Sequence, residues 1–202
     1  MAHPRLTNQE LLSKLAEVFR ARGYDGASLG DLAEAAELEK ASLYHRFPGG
    51  KEEMVTAVIA SVDECFEENL FAPLRAPGEP TEKAQAAALF FKTFYDDGKK
   101  ACTLDTLSLP SAIPAIRSLL QRSATALLNS LAGLARESGF PAAEAKLRAQ
   151  RAIVLLEGSL VYARALGDTK PFREFIAELP VILTGGTAGG RDSKTSTAGR
   201  TK

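Results

Sequence analysis

Residues 40–45 of the chain read Lys-Ala-Ser-Leu-Tyr-His, a run that offers an ammonium, a hydroxyl, a phenol and an imidazole beside one methyl-sized side chain. That is poor equipment for covalent catalysis and good equipment for hydrogen bonding to a polar surface. An acyl- or group-transfer enzyme needs a nucleophile held by a base. The chain has two His, His3 and His45, and two Cys, Cys65 and Cys102, with no pairing pattern among them. The cysteines lack CxxC spacing and have no His nearby in sequence, so neither a zinc site nor a redox motif is indicated. No enzyme, metal or cofactor is expected. Two buried thiols is the plain reading of the cysteines. Cys102 also precedes a helix start at Thr103, Leu104 and Asp105, where the positive end of a helix dipole lowers a thiol's pKa.

The elements that must position residues 40–45 follow from apolar spacing. Leu12, Leu15, Ala16 and Phe19 recur at i, i+3, i+4 and i+7, which predicts an amphipathic helix over about 8–22, capped by Thr7 or Asn8 and ended by Gly23. Ser28 caps a second helix whose stripe is Leu29, Leu32, Ala33 and Ala36, with Asp31 near its positive end. After a break at Glu37 and Leu38, Leu43 and Phe47 share one face of a third helix of barely two turns, stopped by Pro48-Gly49-Gly50. Its other faces carry Lys40, Ala41, Ser42, Tyr44 and His45, which have little reason to face a core. Three short helices, the last presenting small, aromatic and hydrogen-bonding residues, are the plan of a helix-turn-helix reader. The competing reading of Tyr44 and His45 is a solvated helix face.

A fourth helix is predicted from Lys51 through Met54, Ala57, Val58, Val62 and Phe66 to about residue 71, long enough to connect two domains. A loop over 72–80 leads to a helix with Ala86, Phe90, Phe91 and Phe94. A short piece over 104–109 stops at Pro110, and long helices begin near Pro114 and Pro141. The last helix, about 171–183, shows Phe172, Phe175, Ile176 and Leu179 on one face. The expected fold is therefore all-α, with about nine helices and no strand. Its expected domains are a three-helix unit at 1–50 and a larger helical unit at 51–184, joined by helix 51–71. The Gly-, Ser- and Thr-rich residues 185–202 are expected to be disordered.

Across its 202 residues the chain is 45% apolar and 25% charged, with a formal net charge of zero. Neutrality argues against coating nucleic acid by bulk electrostatics, and residues 1–55 carry more acids than bases. Any nucleic-acid contact must then come from a small face. No apolar run approaches the roughly 18 residues of a membrane span, and the N-terminus lacks a secretory signal, so a cytoplasmic protein is expected.

The stretch ASLGDLAEAAELEKASLYHRFPGGKEEM resembles the helix-turn-helix of the tetracycline-repressor (TetR) family in its Ser28 cap, its Leu32-Ala33 and Ala36 packing set, its run Ser42–Phe47 and its Lys51. The resemblance implies a repressor that binds double-stranded operator DNA as a homodimer and answers to a small-molecule effector. On this likeness Tyr44 and Lys51 reach phosphates. Lys40, Ala41, Ser42 and His45 face base edges, and Ser28 caps the helix beside them. An effector pocket among the C-terminal helices would take Phe66, Phe90, Phe91, Phe94, Cys102, Leu104, Leu107 and Tyr162. The competing reading of these aromatics is packed core. Gly158, Ser159 and Ala163, beside Leu155 and Tyr162, suit a closely packed helix pair and hence a four-helix dimer interface.

The chain departs from the pattern at four places. Glu37 stands where Gly usually makes the turn, Glu39 where Ser or Thr usually caps, and Ala41 where Gly is common, while Gly49-Gly50 inserts a residue before Lys51. The Pro-Gly-Gly-Lys form is similar to the drug- and flavonoid-responsive subgroup. The alternative function is a DNA-binding repressor or architectural protein with no effector, which a filled C-terminal core would favour.

Overall fold

The computed structural model describes residues 6–108 and 114–186. Pro110 and most of the expected disordered tail lie outside these residues. The described elements are all helical. They are α1 (Asn8–Gly26), α2 (Leu29–Ala35), α3 (Lys40–Arg46), α4 (Gly50–Phe66), a π-helical turn (Glu67–Phe71), α5 (Ala72–Arg75), α6 (Pro80–Phe94), a 3₁₀ turn (Asp96–Gly98), α7 (Thr103–Leu107), α8 (Pro114–Glu137), α9 (Ala142–Leu166) and α10 (Lys170–Thr184). Because α4, the π turn and α5 run on without a break, the loop predicted at 72–80 starts four residues later than expected.

Local chemistry sets the helix ends. Thr7 and Ser28 each form a capping box, with Glu10 and Asp31 as the returning carboxylates. Gly23, the expected stop of α1, adopts φ 67° and ψ −175° inside the helix, so the residues after it form a separate turn. The same glycine lets α7 come close, since a Cβ on it would lie 3.2 Å from the Thr106 carbonyl oxygen. Gly167 ends α9 in the left-handed conformation.

Apolar burial falls into two clusters. The first joins Leu11, Leu15 and Phe19 of α1 to Leu32, Leu43, Met54 and Val58, and takes in Leu107 of α7 and Ile116 of α8. The second gathers Phe66, Leu70, Phe71, Phe91, Leu131, Leu156, Phe172 and Leu179. The first half of α4 belongs to one cluster and its end to the other, so the two clusters meet along that helix.

The candidate nucleic-acid interface and the inner cavity

Helix α3 is anchored by two side chains and displays the rest. Leu43 and Phe47 are buried, while Lys40, Ala41, Ser42, Tyr44 and His45 are exposed, Tyr44 to 45%. Lys40 folds back along the start of α2, its Nζ 3.8 Å from where a side chain on Gly30 would begin. Tyr44 is flanked by Gly50, which has φ 68° and whose absent Cβ would lie 3.7 Å from the phenol ring. The extra residue in the Gly49-Gly50 pair therefore supplies a left-handed step that few side chains tolerate. Glu53 completes it by accepting a hydrogen bond from the Gly49 N–H at 2.7 Å.

Ser28 is fully engaged in its cap. Its hydroxyl accepts from the Asp31 N–H at 3.1 Å and donates to the Asp31 carboxylate at 2.7 Å. These hydrogen bonds, with Arg22 2.7 Å away, hold the Asp31 carboxyl below its ordinary pKa. Ser28 offers a phosphate its hydroxyl proton only by releasing Asp31.

The two acids at the turn behave differently from one another. Glu37 does adopt the left-handed conformation, φ 54°, at a cost of about 1 kcal/mol relative to Gly, and its carboxylate pairs with Lys14 of α1. Glu39 occupies the cap position of α3, yet its side chain makes no capping bond. Only its backbone carbonyl serves, accepting from Ser42 and Leu43. Its carboxylate therefore stays on the exposed side at the start of α3.

Lys51 donates from Nζ to the Tyr24 carbonyl oxygen at 2.9 Å and sits 4.4 Å from the centroid of the Tyr24 ring. An ammonium has three protons, so holding Tyr24 leaves two for a phosphate. Burial, helped by Glu52 and Asp25, raises the Tyr24 phenol pKa and keeps it neutral beside that charge. Tyr24 is a positioning residue that the sequence reading passed over, because its partner lies 27 positions away.

In the second cluster a small cavity of about 30 Å³ is lined by α4, the π turn, α7 and α8. Of the eight expected effector contacts it brings together Phe66, Cys102 and Leu104. Phe90, Phe91 and Phe94 stand behind Phe66, with ring centroids 5.0, 6.3 and 4.9 Å from it. Leu107 packs instead into the first cluster. Tyr162 is 58% exposed on α9 and does not line the cavity, because it falls outside the stripe through Leu156, Leu160 and Ala163 that this helix buries. Residues the sequence reading missed complete the wall, among them Asp63, Phe71, Tyr95, Thr103 and Ser123.

The π turn is the local device that builds this wall. Residues five apart diverge by about 140° on an α-helix, whereas an i to i+5 hydrogen-bond spacing brings them to one side. The Ala72 N–H donates to the Glu67 carbonyl in that spacing, and Phe66 and Phe71 come together with ring centroids 5.9 Å apart.

At its inner end the cavity is polar but chemically quiet. Tyr95 donates its hydroxyl to Cys102 Sγ at 3.3 Å. Burial pushes the Cys102 thiol up to about 12, with Glu157 adding to the effect. The dipole of a five-residue helix does not outweigh that desolvation, so the activated thiol considered from sequence is replaced by an inert one. Burial also raises the Glu157 carboxyl, and both its oxygens are enclosed without a well-formed hydrogen bond.

The family model described as "Bacterial regulatory proteins, tetR family" matches residues 11–58, which hold α1 to α3 and the start of α4. The chain is 28% identical over 115 residues to the HTH-type transcriptional regulator LmrA of Bacillus subtilis, covering 57% of this chain and 58% of that one. It is 21% identical over 181 residues to the uncharacterized HTH-type transcriptional regulator YxaF of the same organism, covering 88% of this chain and 95% of that one. Over residues 11–58 the chain thus carries the helix-turn-helix of the TetR family. The crystal structure of a TetR transcriptional regulator from Legionella pneumophila superposes with a TM-score of 0.76 at 22% identity, covering 91% of this chain and all of that one. This likeness extends the TetR fold over the C-terminal helices, beyond the 58% of LmrA that the chain spans.

Proposed function

We propose that the chain is a transcriptional repressor that binds a palindromic operator as a homodimer through residues 1–50 and is released by a small apolar or aromatic molecule taken up within residues 51–184. The observation that carries this reading is the α3 face. Two buried anchors hold a short helix whose remaining side chains are free to meet DNA, with Tyr44 and the Lys51 ammonium beside it. Two turns of helix read only a few base pairs, so two copies about 34 Å apart are needed for a specific site. The outer face of α9 supports a second copy. Val154 is 69% exposed there, together with Leu147, Val161, Tyr162 and Leu166, and nothing lies within 4 Å of a Cβ built on Gly158. The protein would work in the cytoplasm, and no helix among the described residues is long and apolar enough to cross a membrane.

Helix α7 links effector to reader in this scheme. Cys102, Thr103 and Leu104 border the cavity, Leu107 enters the first cluster, and Thr106 abuts Gly23 of α1. Enlarging the cavity displaces α7 and α4 together, which changes the separation of the two α3 helices. A second reading, a repressor with no effector here, is favoured by the cavity's size. About 30 Å³ holds little more than a water, against the several hundred Å³ of a drug-sized site.

The test is binding to DNA selected from a random library on the purified full chain. Tyr44→Ala should weaken binding about tenfold with the melting temperature and dimer mass unchanged, and Lys51→Ala should weaken it as much with the dimer mass unchanged and a melting temperature lowered by a few degrees through its lost hold on Tyr24. Lys51→Ala should also reduce the salt dependence by about one phosphate contact. Unaltered affinity in both variants would remove the assigned face.

A further inference from the structure

A larger hollow lies outside the effector cavity, between α1 on one side and α4 with the π turn on the other. It measures about 580 Å³, within the range of small-molecule sites, where the cavity offers about 30 Å³. Phe94, expected among the effector contacts, faces this groove instead.

The charge that organises the groove is Arg20 of α1. Its Nε is buried with no hydrogen-bond partner, and its guanidinium lies 5.2 Å from the centroid of the Phe94 ring. A buried donor left unsatisfied costs roughly 1–3 kcal/mol, and Arg20 as a whole is only part-buried and lines the groove, which leaves its guanidinium within reach of a ligand there. The complementary group is a carboxylate, which accepts two parallel N–H bonds from such a fork. Glu64 and Glu68 border the same space, so a second negative charge on the ligand would meet like charge. Leu12, Ala16 and Val62 supply an apolar strip along the floor, between Asn8, Gln9 and Ser13 of α1 and Ser61 of α4.

We propose that this groove binds a monocarboxylic acid with an apolar or aromatic body, its carboxylate taken by Arg20 and its body laid on the floor between α1 and α4. The ligand would touch the helix that bears Gly23 and the helix that begins beside Lys51. It would thus clamp the reading unit to its connector at a site separate from the cavity.

Calorimetric titration of the full chain with phenylacetate, octanoate, phenylacetamide and phthalate tests this. At least one of the two monoacids should bind saturably, one per chain. The neutral amide and the dianion should bind about tenfold more weakly or not at all. Arg20→Gln should lose the acid by a similar factor while keeping the ligand-free melting temperature. Ser13→Trp, on the exposed groove side of α1, fills the space without touching the charge and should abolish binding even if the arginine variant folds poorly. No binding of either monoacid would overturn the proposal. So would binding that survives both variants but is lost in Ser123→Leu, because the acid would then occupy the aromatic cavity.

Discussion

The two halves of the molecule expose and hide opposite things. On α3 the side chains that matter stand outside, held by a pair of buried residues and the caps next to them. Around the cavity the side chains that matter are inside, and their positions depend on helices drawn from residues 59–127. The first arrangement is local and the second is global. A substitution on the reader face should therefore change binding and spare the fold, whereas one in the cavity layer should change the fold first.

The strongest way to break that contrast is Phe91→Ala. Phe91 is fully buried in the second cluster among Phe66, Phe90 and Tyr95, and its truncation should cost about 3–5 kcal/mol in denaturant melts at fixed protein concentration. A loss below about 1 kcal/mol would mean the layer is loosely packed and already open to an effector.

The same contrast explains what the sequence made legible. The capping boxes at Thr7 and Ser28, the break at Gly23 and the exposed run from Lys40 to His45 are signalled by residues within four positions of one another. Family likeness and helical period agree there. Phe90, Phe91 and Phe94 also show helical spacing, but period alone does not say which of them borders a hollow and which stands behind Phe66. Tyr162 shares a helix with Ser159 and Ala163, and only packing decides which of these turns outward. The π turn has no residue-type signature in Glu-Glu-Asn-Leu-Phe, and Tyr24 meets Lys51 through a contact that no short window contains.

A smaller effect sharpens the inner half of the comparison through pH. Burial raises the Glu157 carboxyl above its ordinary value. Between the unfolded value, near 4.5, and the raised folded value, the native chain holds a proton that the unfolded chain has lost. Stability must therefore fall as pH rises across that window and level off above it. Glu157→Gln should flatten this slope and stabilise the chain by about 1 kcal/mol at neutral pH, read from urea melts between pH 5 and 8. An unchanged slope would show that the carboxyl is solvated.

The smallest effect belongs to the reader. Glu39→Ser supplies the missing side-chain cap and removes a negative charge beside the face of α3 proposed to meet DNA. It should add about 0.5–1 kcal/mol of stability and raise DNA affinity a few-fold at low salt, measured by melting and by anisotropy. A gain in stability with no gain in affinity would place Glu39 away from the phosphates.

The π turn bears on how one helix serves two cores. Along Val62, Phe66, Leu70 and Leu74 the chain advances in steps of four, and each step overshoots a 3.6-residue turn by about 40°. Over several steps an uninterrupted α-helix would roll its apolar stripe out of the second cluster, whereas Phe66, Leu70 and Leu74 all remain buried. The wider turn over residues 67–71 takes that angle back, as a leap day does in a calendar. The connector thus keeps two phases, one for the reader and one for the cavity, and deleting a single residue inside the turn would merge them.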